Sequence, residues 1–169
     1  MTADNVNRTR ARLLVNLFPG IHLRELQRSM HVSFSSARYH VDSLSKSGEI
    51  ERYDEAGYSR LYPPGISESE KAVYSSTRNR TKRMILSILI ETPNLTNKQL
   101  SGFSGLAKST VSQQIVSLLD SGIVRENVST DSGTTYSVRD PSIVSTALSE
   151  RDRNLMSEAA ERFVDLWDF

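Results

Sequence analysis

Apolar residues recur along this chain in two matching trains. Ala11, Leu14, Val15 and Phe18 stand at helical spacing, and Ile85, Ile88 and Leu89 do the same further on. Each group is followed by a breaker, Pro19-Gly20 or Pro93-Asn94. A short second helix is predicted around Leu23–Met30 and around Asn97–Phe103, with Thr96 a good N-cap for the latter. A third helix follows a tight turn in each train, Phe34–Lys46 and Lys108–Asp120. Ser33 suits the cap of the first, whereas Ala107 caps poorly. Ala37, Val41 and Leu44 form one inward stripe, and Val111, Ile115 and Leu118 form its counterpart. Gly48 and Gly122 fall where a helix ends in a left-handed residue. Two hairpins are then predicted. One runs Ile50–Tyr53, a turn at residues 54–57, and Tyr58–Tyr62; the other runs Val124–Val128, a turn at residues 129–133, and Thr134–Val138.

The two trains are copies in fixed register, 74 residues apart. Pro19 falls on Pro93, Leu26 on Leu100, Ala37 on Val111, Val41 on Ile115, Leu44 on Leu118 and Gly48 on Gly122. Apolar positions match while polar ones differ, as two copies of one fold would show with surfaces free to diverge. Three helices and a two-stranded wing make a winged helix-turn-helix, so the fold class is mainly α with small β-wings. The motifs Val32–Leu44 with Gly48-Glu-Ile, and Gly105–Leu119 with Gly122-Ile-Val, carry a resemblance over about residues 8–64 and 82–140. The chain resembles tandem winged helix-turn-helix transcription regulators of the archaeal and bacterial type. That resemblance implies binding to double-stranded DNA through the third helices.

The domain plan is a first module at 1–65, a basic, helical linker at 66–83, a second module at 84–140 and a C-terminal amphipathic helix at 141–169. Ser67 and Glu70 give the linker a capping-box start. The C-terminal segment opens with Asp140-Pro141, and Val144, Leu148, Leu155, Ala159, Phe163 and Leu166 recur at helical steps. This stripe either packs on the second module or pairs two chains. Paired half-sites in DNA tilt the expectation towards a homodimer, with half-sites about 34–36 Å apart.

An α-helix fits the major groove, and its first turns reach base edges. The outward face of the first third helix offers Ser35, Ser36, Arg38, Tyr39 and Asp42; that of the second offers Lys108, Ser109, Thr110, Ser112 and Gln113. Arg38 suits guanine or a phosphate, Tyr39 a phosphate or a thymine methyl, and Gln113 adenine. Lys108, Ser109 and Thr110 suit phosphate at a helix start. The wings add Arg52, Arg60 and Arg125, with Arg60 the favoured phosphate contact. Basic runs precede each first helix: Arg8, Arg10 and Arg12, then Arg78, Arg80, Lys82 and Arg83. Arg38 and Tyr39 make the first copy the better reader. The second has no arginine in its third helix and carries Glu126 and Asp131 in its wing, so it binds DNA weakly or has turned to protein contacts.

Composition narrows the function classes. The 169 residues contain no cysteine, which removes disulfides, thiol nucleophiles and thiolate metal sites. His22, His31 and His40 have no partner at metal-ligand spacing; His40 is expected beside the core and His31 in a turn. No phosphate-binding glycine loop or nucleophile elbow is present, so no enzyme, cofactor or small-molecule ligand is expected. There is no apolar run long enough to span a membrane, and the polar start MTADNVNRTR lacks a signal-peptide core, so a cytoplasmic, nucleoid-associated protein is expected. The net charge of +1 hides an asymmetry. Residues 1–83 carry 14 basic and 9 acidic side chains, residues 84–169 carry 7 and 11. This favours the first copy and the linker as the DNA-facing surface, with the acidic C-terminal helix turned away. The alternative from another class is a tandem winged-helix scaffold of a chromosome- or polymerase-associated complex. It predicts an apolar outward face on the third helices.

Overall fold

The computed structural model describes residues 3–55, 58–129 and 133–152. The chain divides into two compact units, residues 1–67 and 68–169, each with its own core.

The first unit runs α1 (Ala3–Leu17), β1 (Ile21–His22), α2 (Leu23–Met30), α3 (Phe34–Lys46), β2 (Glu51–Glu55) and β3 (Tyr58–Tyr62). The predicted stripe of α3 is fully buried at Ala37, Val41 and Leu44, against Ala11 and Val15 of α1 and Leu26 and Met30 of α2. Ser33 caps α3 by accepting the Ser36 N–H at 3.2 Å. His31 closes α2 in the left-handed conformation, and His40 is buried on α3. Both match the expectations for those residues.

Three local expectations are corrected. Arg8, Arg10 and Arg12 do not precede the first helix but lie inside it, because α1 begins at Ala3. There Arg8 and Arg12 pair with Glu49 at 2.6 and 3.0 Å, and Arg10 donates to the carbonyls of Ser29 and Met30. The wing strands are longer than predicted, since Asp54 and Glu55 extend β2 and are not turn residues. The sheet also has a third strand, in order β1-β3-β2, with Ile21 opposite Leu61 and His22 opposite Arg60. A two-residue strand carries no periodicity to be read. Gly20, at φ +78°, makes the turn into β1 with the Tyr62 ring close by.

The second unit runs α4 (Glu68–Thr77), α5 (Arg80–Glu91), α6 (Asn97–Ser104), α7 (Lys108–Asp120), β4 (Val124–Ser129) and β5 (Gly133–Val138), followed by helix at residues 141–152, here α8. Thr96 and Gln99 form a reciprocal capping box on α6, while Ala107 gives α7 no side-chain cap. Val111, Ile115 and Leu118 are buried with Ile85, Leu86 and Leu89 of α5. The segment 66–83 is helical over α4, but α4 is part of the second unit: Val73 enters that unit's core and Arg83 donates to the Thr77 carbonyl at 2.9 Å. The first positions of the C-terminal stripe, Val144 and Leu148, are buried in the same core. Leu155, Ala159, Phe163 and Leu166 lie outside the described residues. No described helix is long and apolar enough to cross a membrane.

Candidate nucleic-acid interface

In the first unit, burying one face of α3 turns the other outward. Ser35, Arg38 and Tyr39 are exposed and Ser36 is half-buried. Arg38 keeps 61% of its side chain exposed, with its Nε 3.9 Å from Asp42 one turn later. The Tyr39 ring is 60% exposed and stands edge-on to His40. A polar and basic surface therefore surrounds the first two turns, where base readout by such a helix takes place.

Two residues that the outward face of α3 does not reveal join this surface. On α2, Leu23, Leu26 and Met30 face the core, which leaves Arg24 and Arg28, one turn apart, exposed. Arg24 lies 5.8 Å over the ring of Phe34, the first residue of α3. Arg24, Arg28, Phe34, Arg38, Arg52 and Ser59 line one open groove of about 760 Å³, and Glu25 is the acidic residue of its lining. Four arginines thus meet at one groove from α2, α3 and the wing. The arginine spacing on α2 carried this signal in the sequence.

The wing arginines separate by strand register. Opposite residues of an antiparallel pair share a sheet face. Arg52 is opposite Leu61, on the face that continues towards α3, whereas Arg60 is opposite Tyr53, on the other face. Arg60 is half-buried and donates to the Gly20 carbonyl at 3.3 Å. The structure therefore leaves Arg60 out of the groove and brings in Arg52. Arg78 is half-buried beyond the end of α4, and Arg80 is exposed at the first position of α5. Lys82 donates to Ser117 at 2.7 Å.

In the second unit, Lys108, Ser109, Ser112 and Gln113 are exposed on α7 and Thr110 is half-buried; Ser112 accepts from Asn97 at 2.7 Å. The register of 74 shows what this unit lacks. Lys98 and Gly102 replace Arg24 and Arg28, Ser112 replaces Arg38, and Glu126 replaces Arg52. Val116 and Val128, 56% and 80% exposed, stand where the first unit has Asp42 and Asp54. Arg125 is turned to the other face of its wing, its Nε donating to Ser137 at 3.1 Å. Among the described residues no group of three or more metal-ligating side chains is found.

A family model described as winged helix-turn-helix DNA-binding matches residues 78–125, and one described as an N-terminal helix-turn-helix domain matches residues 5–74. The chain carries two winged helix-turn-helix modules in tandem. Among solved structures, this tandem protein is similar to a MarR family transcription regulator at 18% identity, covering 58% of this chain and 68% of the other with a TM-score of 0.45. It is also similar to ScpB from Mycobacterium tuberculosis at 14% identity, covering 82% and 92%, with a TM-score of 0.32. A search of curated proteins finds no match.

Proposed function

We propose that this protein is a sequence-specific, double-stranded DNA-binding transcription regulator whose first module is the principal reader. The observation that carries this is the convergence of Arg24, Arg28, Arg38 and Arg52 on the groove beside the exposed start of α3. Arg24 and Arg28 neutralise backbone phosphates, which fixes the module on the duplex without reading sequence. Arg38, with Tyr39 beside it, enters the major groove, where a guanidinium pairs with the O6 and N7 of guanine. The second module adds Lys98, Lys108 and Ser109 for phosphate, and Gln113 for an adenine edge. Its neutral helix and Glu126-bearing wing make it the weaker contact. The scaffold alternative expects apolar residues on the recognition face. In α3 this face is polar and basic apart from the aromatic rings of Phe34 and Tyr39, while in α7 Val116 is exposed.

The test is selection of genomic fragments by the full chain, followed by anisotropy titration on a selected and a scrambled duplex. Arg38→Ala is expected to lower the preference for the selected duplex by about tenfold, the loss of one good base contact. Equal binding to both duplexes by the unaltered protein would refute sequence reading. No binding at micromolar concentration would refute the DNA function.

A further inference from the structure

The four groove arginines are not equivalent. The guanidinium of Arg52 sits between two carboxylates: its Nη1 is 3.2 Å from Asp42 of α3, and its Nε is 3.2 Å from Asp54 of its own strand and 3.1 Å from the Ser59 hydroxyl of β3. Ser59 also donates to Asp54. Asp42 in turn reaches Arg38 through its other oxygen. An unbroken polar chain thus runs Arg38–Asp42–Arg52–Asp54–Ser59, from the recognition helix across both wing strands. Arg52 is the least exposed ionic member, at 29% of its side chain. With Ser59 donating first and Arg52 second, the Asp54 carboxyl is held below the usual carboxylate range.

We infer that Asp42 and Arg52 lock the wing to the recognition helix, and that Arg52 is a positioning residue, not a phosphate ligand. Two carboxylates already flank this guanidinium and offset its charge, so a phosphate gains little by approaching it. The geometric need is clear: α3 and the wing meet the duplex at separate places, so their relative angle decides whether Arg38 meets a base edge. Buried Ile50, Leu61 and Tyr62 and the β1–β3 ladder anchor the base of the wing, and the Asp42–Arg52 pair ties its outer part to α3. The second module supplies an internal comparison. Val116, Glu126 and Val128 stand at the positions of Asp42, Arg52 and Asp54, so its wing has no such lock. The lock is what makes the first module the stricter reader.

The consequence for DNA rests on the function proposed above, so the test has two arms. The first needs no DNA. In the full chain, Arg52→Gln is expected to speed amide exchange in β2 and β3 by about fivefold, the worth of one good ion pair, and to leave β4 and β5 unchanged. Asp42→Asn gives a smaller acceleration, because Arg52 keeps Asp54 and Ser59, and the double variant does not exceed Arg52→Gln alone. Unchanged exchange in β2 and β3 overturns the lock, whatever the protein does with DNA. The second arm compares salt dependence on selected and scrambled duplexes. Arg52→Gln is expected to lower the preference between them by about threefold to tenfold while keeping the slope of log affinity against log salt, whereas a lost phosphate contact lowers that slope by about 0.9 on both duplexes. Arg52→Lys, one donor reaching one carboxylate, restores part of the preference. A slope lowered by about 0.9 for Arg52→Gln would make Arg52 a phosphate ligand and overturn the assignment. Failure of the unaltered chain to bind any duplex would refute the proposed function, and the exchange arm would still decide the lock.

Discussion

Replacing both Arg24 and Arg28 by alanine tests the phosphate contacts proposed for the first module. Both lie on the solvent face of α2, and alanine favours helix more than arginine does, so the fold is kept. Each neutralised phosphate contributes about 0.9 to the slope of log affinity against log salt, so the double variant should lose about 1.8 from that slope. Between 50 and 200 mM salt, a fourfold change, the unaltered protein should therefore lose about twelvefold more affinity than the variant. Anisotropy titrations at four salt concentrations, on a selected and a scrambled duplex, measure this directly. The loss should be the same on both, because a phosphate carries no sequence. Arg12→Ala is the control, since it removes a positive charge that is paired with Glu49 and does not line the groove. An equal fall in slope for Arg12→Ala, or an unchanged slope for the double variant, would falsify the assignment of the groove.

Three further outcomes follow from the packing. Glu49 accepts from Ser47, Arg8 and Arg12, and the Ser47 bond first, then Arg8, holds its carboxyl below the usual carboxylate range. A carboxylate lowered on folding stabilises above its unfolded value and loses that contribution as pH falls through the folded one, so a melting-temperature gap between the unaltered chain and Glu49→Gln present at pH 7 should close as the pH falls below 4.5. Leu118→Ala, which empties a fully buried site, should cost the second module about 2–5 kcal/mol in denaturant titration while leaving amide protection in β2 and β3 intact. Gly20→Ala meets a φ of +78° and the Tyr62 ring at 3.3 Å, and should destabilise the first module by about 1–2 kcal/mol by calorimetry.

The helices were legible because a 3.6-residue period survives in a single sequence. Ala37, Val41 and Leu44 name the inner face of α3, and with it the outward position of Arg38. The start of α1 was not legible: its first two turns hold one large apolar residue, Val6, and it is exposed, so Arg8, Arg10 and Arg12 read as a polar run ahead of a helix. The wing shows a different limit. Its period of two is clear, but which arginine faces α3 depends on the pairing register, and Asp54-Glu55 read as a turn by composition although they are strand. A slip of one residue between β2 and β3 would put Arg52 and Arg60 on the same face. Arg24 and Arg28 show the opposite case. Their spacing was readable on α2, but their meaning depends on Phe34, Arg38 and Arg52 arriving from elsewhere in the chain.

The first core is made wholly of residues between Ala11 and Leu61, and the second draws nothing from before α4. During synthesis α3 can therefore reach its final packing while the second module is still being translated. Every partner of the first core lies between Ala11 and Leu61, which shortens the interval in which its apolar stripes stand open to aggregation. Over evolutionary time, the same closure confines the damage of a core substitution to the half that carries it. One half can then carry lysine, glycine, serine and glutamate where the other has its groove arginines, without unsettling the fold beside it.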